Sequence, residues 1–114
     1  MSVKLTTRQV GDVSIVDVAG RITLGEGSSA LRDCMRDLIG KGHKKVLLNL
    51  ADVTYIDSSG IGELVSGFTT VANQGGQLKL LSLTKRVQDL LQITKLYTVF
   101  DVHDDEPHAV RSFS

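Results

Sequence analysis

The sequence predicts an α/β fold: a small mixed, mainly parallel sheet of about five strands, opened by an N-terminal antiparallel hairpin, with about four helices packed on it. Three observations carry this expectation. A loosely alternating run and a β-branched run flank a Gly11-Asp12 turn, strand-like and helix-like patterns then alternate to the end of the chain, and the run Lys44–Leu50 is nearly all apolar after its lysines, as in a strand covered on both faces.

Taken in order, residues 3–10 alternate loosely, and Val13, Ile15, Val16 and Val18 form the second arm of the hairpin, ending at Ala19-Gly20. Gly20 to Ser29, rich in Gly and Ser, reads as a flexible surface loop. Leu31 to Ile39 has helical spacing and is closed by Gly40 and Gly42, with Lys41 in the last turn. A third strand follows over Lys44–Leu50. Then comes a turn into a helical stripe of Ile61, Leu64, Val65, Phe68, Val71 and Ala72, one face of a 3.6-residue period, which ends near Asn73–Gly76. Gln77–Leu83 reads as the fourth strand. Thr84 caps a short helix carrying Val87, Leu90, Leu91 and Leu96, Thr98–Val102 forms a last strand, and Asp104-Asp105-Glu106-Pro107 opens a terminal helix with acids and Pro in its first turn. Right-handed crossovers narrow the topologies further.

At 114 residues the chain, 1–114, is expected to be a single domain. Its net charge of zero gives no electrostatic footprint for nucleic acid, and 4% aromatics without Trp leave no base-stacking platform. No apolar run approaches spanning length and the N-terminus lacks a signal pattern, so a cytoplasmic protein without membrane insertion is expected. Cys34, the one cysteine, lies on the helical stripe of Leu31, Met35 and Leu38 and reads as a buried core thiol.

Enzyme chemistry finds little support. Gly20 to Gly25 has P-loop glycine spacing, but Glu26 and Gly27 stand where Lys and Ser/Thr are required. Gly25-Glu26-Gly27-Ser28-Ser29-Ala30 matches G-x-G-x-x-A, yet Glu26 would set a negative charge inside a pyrophosphate turn, and no cofactor is expected. The nucleophile elbow fails because Ile56 replaces its first Gly. His103 to His108 contains ligand residue types at a spacing that matches no metal signature and reads as a solvated helix start. Lys44-Lys45 and Lys85-Arg86 read as solvated charges. No catalytic and no metal residues are assigned.

The informative stretch is Thr54 to Glu63, where Asp57, Ser58 and Ser59 fall at a helix start. Any of the three serves as an N-cap. A serine there is also well placed for modification, since a phosphate at a helix N-terminus meets the positive end of the dipole and free N–H donors.

Around this stretch the sequence resembles the STAS domain family, which contains the bacterial anti-sigma factor antagonists. The resemblance is carried by Val46 to Gly62, with Asp57-Ser58-Ser59-Gly60 at the junction of strand and helix, by Gln74-Gly75-Gly76-Gln77-Leu78-Lys79-Leu80, and by Val87 to Leu96. It implies a small sheet with helices on one side and a phosphorylation-controlled partner switch. The unphosphorylated protein would bind an anti-sigma factor that is also a serine/threonine kinase, releasing sigma factor, and a PP2C-type phosphatase would reset it. The resemblance places phosphorylation at Ser58, a supporting hydroxyl at Ser59, and a loop-orienting or serine-orienting carboxylate at Asp57. Gly60 and Gly62 would keep the site open, and Thr23, Ile61 and Glu63 would belong to the partner-binding surface. Gly20-Arg21-Ile22-Thr23 departs from the family's Gly-x-Leu/Ile-Asp by placing Thr23 at the acidic position. ATP and Mg²⁺ would come with the kinase. The chain would be a kinase substrate and not an enzyme, and a monomer. The rival expectation is a non-switching STAS subunit of a membrane lipid-transport complex of the ABC type, or a scaffold of stress complexes.

Overall fold

The computed structural model describes residues 3–113. Strands β1 (Val3–Val10) and β2 (Val13–Ile22) form the antiparallel hairpin. Helix α1 (Glu26–Gly40), strand β3 (Lys45–Ile56), helix α2 (Ser58–Asn73), strand β4 (Gln77–Leu81), helix α3 (Lys85–Ile93), strand β5 (Asp101–His103) and helix α4 (Glu106–Arg111) follow. The sheet order is β1-β2-β3-β4-β5, parallel from β2 onward, so only the β1 edge is antiparallel. The expected fold class is the observed one.

Strand alternation sends successive side chains to opposite faces. On one face Val16, Val46, Leu48 and Leu80 meet Leu31, Met35 and Leu38 of α1, Ile61, Leu64 and Val71 of α2, and Val87 and Leu91 of α3. Phe100 closes this layer edge-on against Phe68, ring centroids 5.6 Å apart. The other face is smaller: Val13, Ile15, Leu47 and Leu81 are covered by Ala109 of α4, with Val110 and Phe113 packed alongside. Helices therefore lie on both sides of the sheet, which corrects the one-sided packing that the resemblance implied. Arg8 ties that second layer together. Its guanidinium donates to Asp17 at 2.7 and 3.1 Å and to Glu106 at 2.6 and 2.9 Å, and Asn49 donates to the same Asp17 at 2.8 Å.

Several boundaries differ from the sequence reading, each for a local reason. β3 runs on from Leu50 to Ile56, because two register shifts, each with one extra residue in β3 (between Asn49 and Asp52 and between Val53 and Tyr55), keep it paired with β2 and return Val53 and Ile56 to the core. α1 begins at Glu26, five residues before its first large apolar residue. Gly27 and Ser28 are buried there, so the Gly20–Ser29 segment is largely strand end and helix start and not a surface loop. β4 stops at Leu81 because Ser82 takes a positive φ of 58°. Leu96 lies beyond α3, after Lys95 with a φ of 62°. Tyr97–Val99 forms a 3-10 turn, so β5 starts at Asp101.

Candidate functional site

The end of β2 is held between two helix starts. A Cβ on Gly27 of α1 would sit 2.6 Å from the Arg21 carbonyl oxygen, and one on Gly60 of α2 would collide with the Ile22 carbonyl oxygen and lie 2.6 Å from Ile56 Cγ1. Only residues without a side chain allow both helices to approach this closely. Gly60 is thus a buried packing position and not a means of keeping the site open. Gly62 has no atom within 4 Å of where its Cβ would be, and it faces outward.

Asp57 settles which of the three candidates caps α2. Its backbone is extended, its Oδ1 accepts from the Gly60 N–H at 3.0 Å, and its Oδ2 accepts from the Leu24 N–H at 3.1 Å. One carboxylate therefore joins the start of α2 to the β2–α1 connection. The Gly60 N–H and then the Leu24 N–H hold that carboxyl below the usual range, against the opposing effect of partial burial. On the other side of the connection, the Thr23 carbonyl oxygen accepts from both the Ser28 N–H and the Ser28 hydroxyl, at 3.0 and 2.9 Å.

Ser58 is left as the first residue of α2, exposed, with no hydrogen-bond partner for its hydroxyl among the described residues. It stands at the positive end of a 16-residue helix that has no acidic side chain in its first turn. Ser59 is half-buried beside it. Asp57 orients the loop and not the serine hydroxyl, because both its oxygens are engaged by backbone N–H groups.

Of the residues expected on a docking surface, Thr23 is half-buried. Glu63 is held by Arg32 of α1, whose Nη2 lies 2.7 Å from Glu63 Oε2. Ile61 is corrected outright: it is 2% exposed and belongs to the core, as the first member of the α2 stripe must. The surface residue that the sequence reading missed is Leu24, 79% exposed beside the Asp57 clamp. The only signal for it was an apolar residue standing alone between Thr23 and Gly25.

Other expectations shift. Lys45 pairs with Asp12 at 2.6 Å, and Arg86 packs its guanidinium over the Tyr55 ring, so neither is a simply solvated charge. His103 is mostly covered, its Nε2 3.0 Å from Asp101 Oδ2 and its Nδ1 3.3 Å from His108 Nδ1. Cys34 is half-buried rather than fully so, with its Sγ 3.9 Å from the Thr7 hydroxyl, and burial pushes its thiol pKa up. Among the described residues, no helix is long and apolar enough to cross a membrane.

Comparison with known proteins places these features in context. The STAS domain model matches residues 4–109. The anti-sigma-B factor antagonist of Bacillus subtilis is 33% identical over 102 residues, covering 90% of this chain and 92% of that protein. A crystal structure of an anti-sigma factor antagonist from Mycobacterium paratuberculosis superposes with a TM-score of 0.84 at 16% identity, covering 98% of this chain and 94% of that one. The Bacillus cell fate determinant SpoIIAA, solved in its phosphorylated form, superposes with a TM-score of 0.75 at 16% identity over 95% of this chain and 97% of its own. At that identity the two structures speak to the fold alone.

Proposed function

The chain belongs to the STAS domain family, and from that premise we propose that it is an anti-sigma factor antagonist that trades partners according to the phosphorylation of Ser58. In this reading the unmodified protein binds an anti-sigma factor with serine/threonine kinase activity and frees the sigma factor. The kinase then modifies Ser58, and a PP2C-type phosphatase removes the group. The protein is a regulator acting as one cytoplasmic domain, not a catalyst.

The observation that carries the reading is the state of Ser58: exposed, without a hydrogen-bond partner among the described residues, and fixed at a helix N-terminus by the Asp57 clamp. A kinase reaches that hydroxyl without unfolding anything. A phosphate there adds about −1.5 to −2 charges at the centre of the docking face. Loss of a thousandfold in affinity corresponds to about 4 kcal/mol, within reach of a desolvated dianion set against a partner surface that was complementary to a hydroxyl. In this reading Leu24, exposed and tied to the same Asp57 carboxylate, and Gly62, exposed one helical turn beyond Ser58, supply contact area, with half-buried Thr23 and Glu63 contributing less.

The test is the intact mass of the protein recovered from its own cells, with site mapping, beside a Ser58→Ala variant. A gain of one phosphate at Ser58, absent from the variant, supports the switch. A protein that never carries phosphate and co-purifies with a membrane ATPase would instead be a constitutive structural subunit.

A further inference from the structure

The same end of the sheet carries an arrangement that the serine does not need. Arg21 near the end of β2 is paired in register with Tyr55 of β3, and its guanidinium carbon lies 4.8 Å from the centre of the Tyr55 ring. Arg86, in the first turn of α3, places its guanidinium carbon 4.3 Å from the same centre. Three elements distant in sequence thus converge to hold two cations on one aromatic ring. Sharing that ring, the cations lie closer together than a Debye length of roughly 10 Å at 0.1 M salt.

Both arginines are exposed, and among the described residues neither has a carboxylate within ion-pair distance. Arg8 and Arg32, by contrast, each grip an acid. The acids nearest in sequence are engaged elsewhere: Asp17, four residues before Arg21, pairs with Arg8, Asp89, three after Arg86, pairs with Lys85, and Asp57, two after Tyr55, accepts from two backbone N–H groups, while position 23 carries Thr. Stacking fixes the plane of a guanidinium while its edge donors stay free, the geometry that receives a carboxylate bidentately. Two like charges brought together without a counter-charge repel one another, and a bound anion relieves that repulsion.

We propose that the Arg21–Tyr55–Arg86 stack is a docking site for an acidic segment of a protein partner, its Asp or Glu carboxylates received by the two guanidinium edges. A peptide segment fits better than nucleic acid, because two cations on a chain of zero net charge make a point contact and not a phosphate-tracking stripe. The stack is also continuous with the proposed switch face: Leu24 follows Arg21 by three residues and Ser58 follows Tyr55 by three. Arg and Tyr are the residue types that dominate binding energy in protein interfaces, and Leu24 offers an apolar contact beside them. The inference rests on the switch reading for the kind of partner, and deepens it. Ser58 is at most roughly 11 Å of chain from Tyr55, so a phosphate there repels the same acidic segment.

The experiment is an NMR titration of the ¹⁵N-labelled full chain with a blocked peptide of alternating Glu and Leu, beside its Gln counterpart and beside sodium phosphate. Saturable shifts at the Arg21, Tyr55 and Arg86 amides are expected with the Glu peptide alone, weakening as salt is raised. The double variant Arg21→Gln/Arg86→Gln should bind at least fivefold more weakly, while Arg111→Gln on α4 binds as the parent does. No saturable shift, an equal response to phosphate or to the Gln peptide, or indifference to the double variant overturns the proposal. Phosphorylation of Ser58 is read independently by mass. Peptide binding by a protein that is never phosphorylated upholds the acidic-segment site and removes only the switch, whereas phosphorylated Ser58 on a protein that ignores the peptide removes only the stack.

Discussion

Asp57 and Leu24 are 33 positions apart in the chain, yet the Asp57 carboxylate accepts the Leu24 N–H at 3.1 Å while it caps α2 through Gly60. The most exposed large apolar side chain of the site is therefore positioned by the residue that also caps the helix Ser58 begins. Disturbing one disturbs both.

Asp57→Ala should lower stability by about 1–2 kcal/mol, the cost of an N-cap. It should also broaden the amide signals of Thr23, Leu24 and Gly25. Urea denaturation should show a lower midpoint with an unchanged slope. A variant as stable as the parent would mean that the clamp is not holding the connection.

Gly60→Ala and Gly62→Ala should move in opposite directions. The Gly60 methyl meets the Ile22 carbonyl and the Ile56 side chain, a clash that costs about 1–3 kcal/mol. The Gly62 methyl enters open space on a helix and should stabilise by roughly 0.5–1 kcal/mol. Thermal melts of the two variants side by side check this.

Ser58→Asp should unfold no more easily than the parent, to within about 0.5 kcal/mol, because the side chain is exposed and replaces no contact. Partner affinity, measured by calorimetry, should fall by at least tenfold. A large loss of stability would assign the effect to folding and not to the docking face.

Acid stability should depend on Arg8. Its guanidinium holds the Asp17 and Glu106 carboxyls below their usual values by hydrogen bonding, against partial burial that raises them. A carboxyl depressed in the folded state stabilises at pH above its unfolded value, about 4, and that contribution is lost as the pH falls through the folded value. Arg8→Gln should flatten the acid limb of the stability curve. The side chains are about a third exposed, which limits the effect to about 1 kcal/mol or less. Urea midpoints from pH 7 down to pH 3 give the curve.

Cys34 should react slowly with a neutral-pH thiol reagent such as iodoacetamide, because burial raises its pKa and keeps the thiolate scarce. Denaturant should speed the reaction at least tenfold. Fast alkylation of the folded protein would place the thiol at the surface.

The Asp57-Ser58 helix start was legible because a capping residue directly precedes an apolar stripe of clear period. Asp57's second bond, to Leu24, was not, since a contact across 33 residues has no spacing signature. The last six residues of β3 were hidden by Asp52, a turn former by composition, and by the extra residues at its two register shifts, which interrupt period-two alternation. The start of α1 was hidden for the opposite reason: Gly27 and Ser28 are buried by close backbone approach, which leaves no apolar mark in the sequence. Arg86 looked like a solvated charge because its ring partner, Tyr55, lies on a separate element, β3. Ile61 was misplaced onto the surface although its own periodicity assigned it to the core.

The wedge formed by Gly60 against the end of β2 leaves the first turn of α2 no room to sink or tilt. A group added to Ser58 can only project outward. If Ser58 is modified as proposed, the free molecule would keep the same silhouette, and the change would be legible only by touch, to a partner already at the surface.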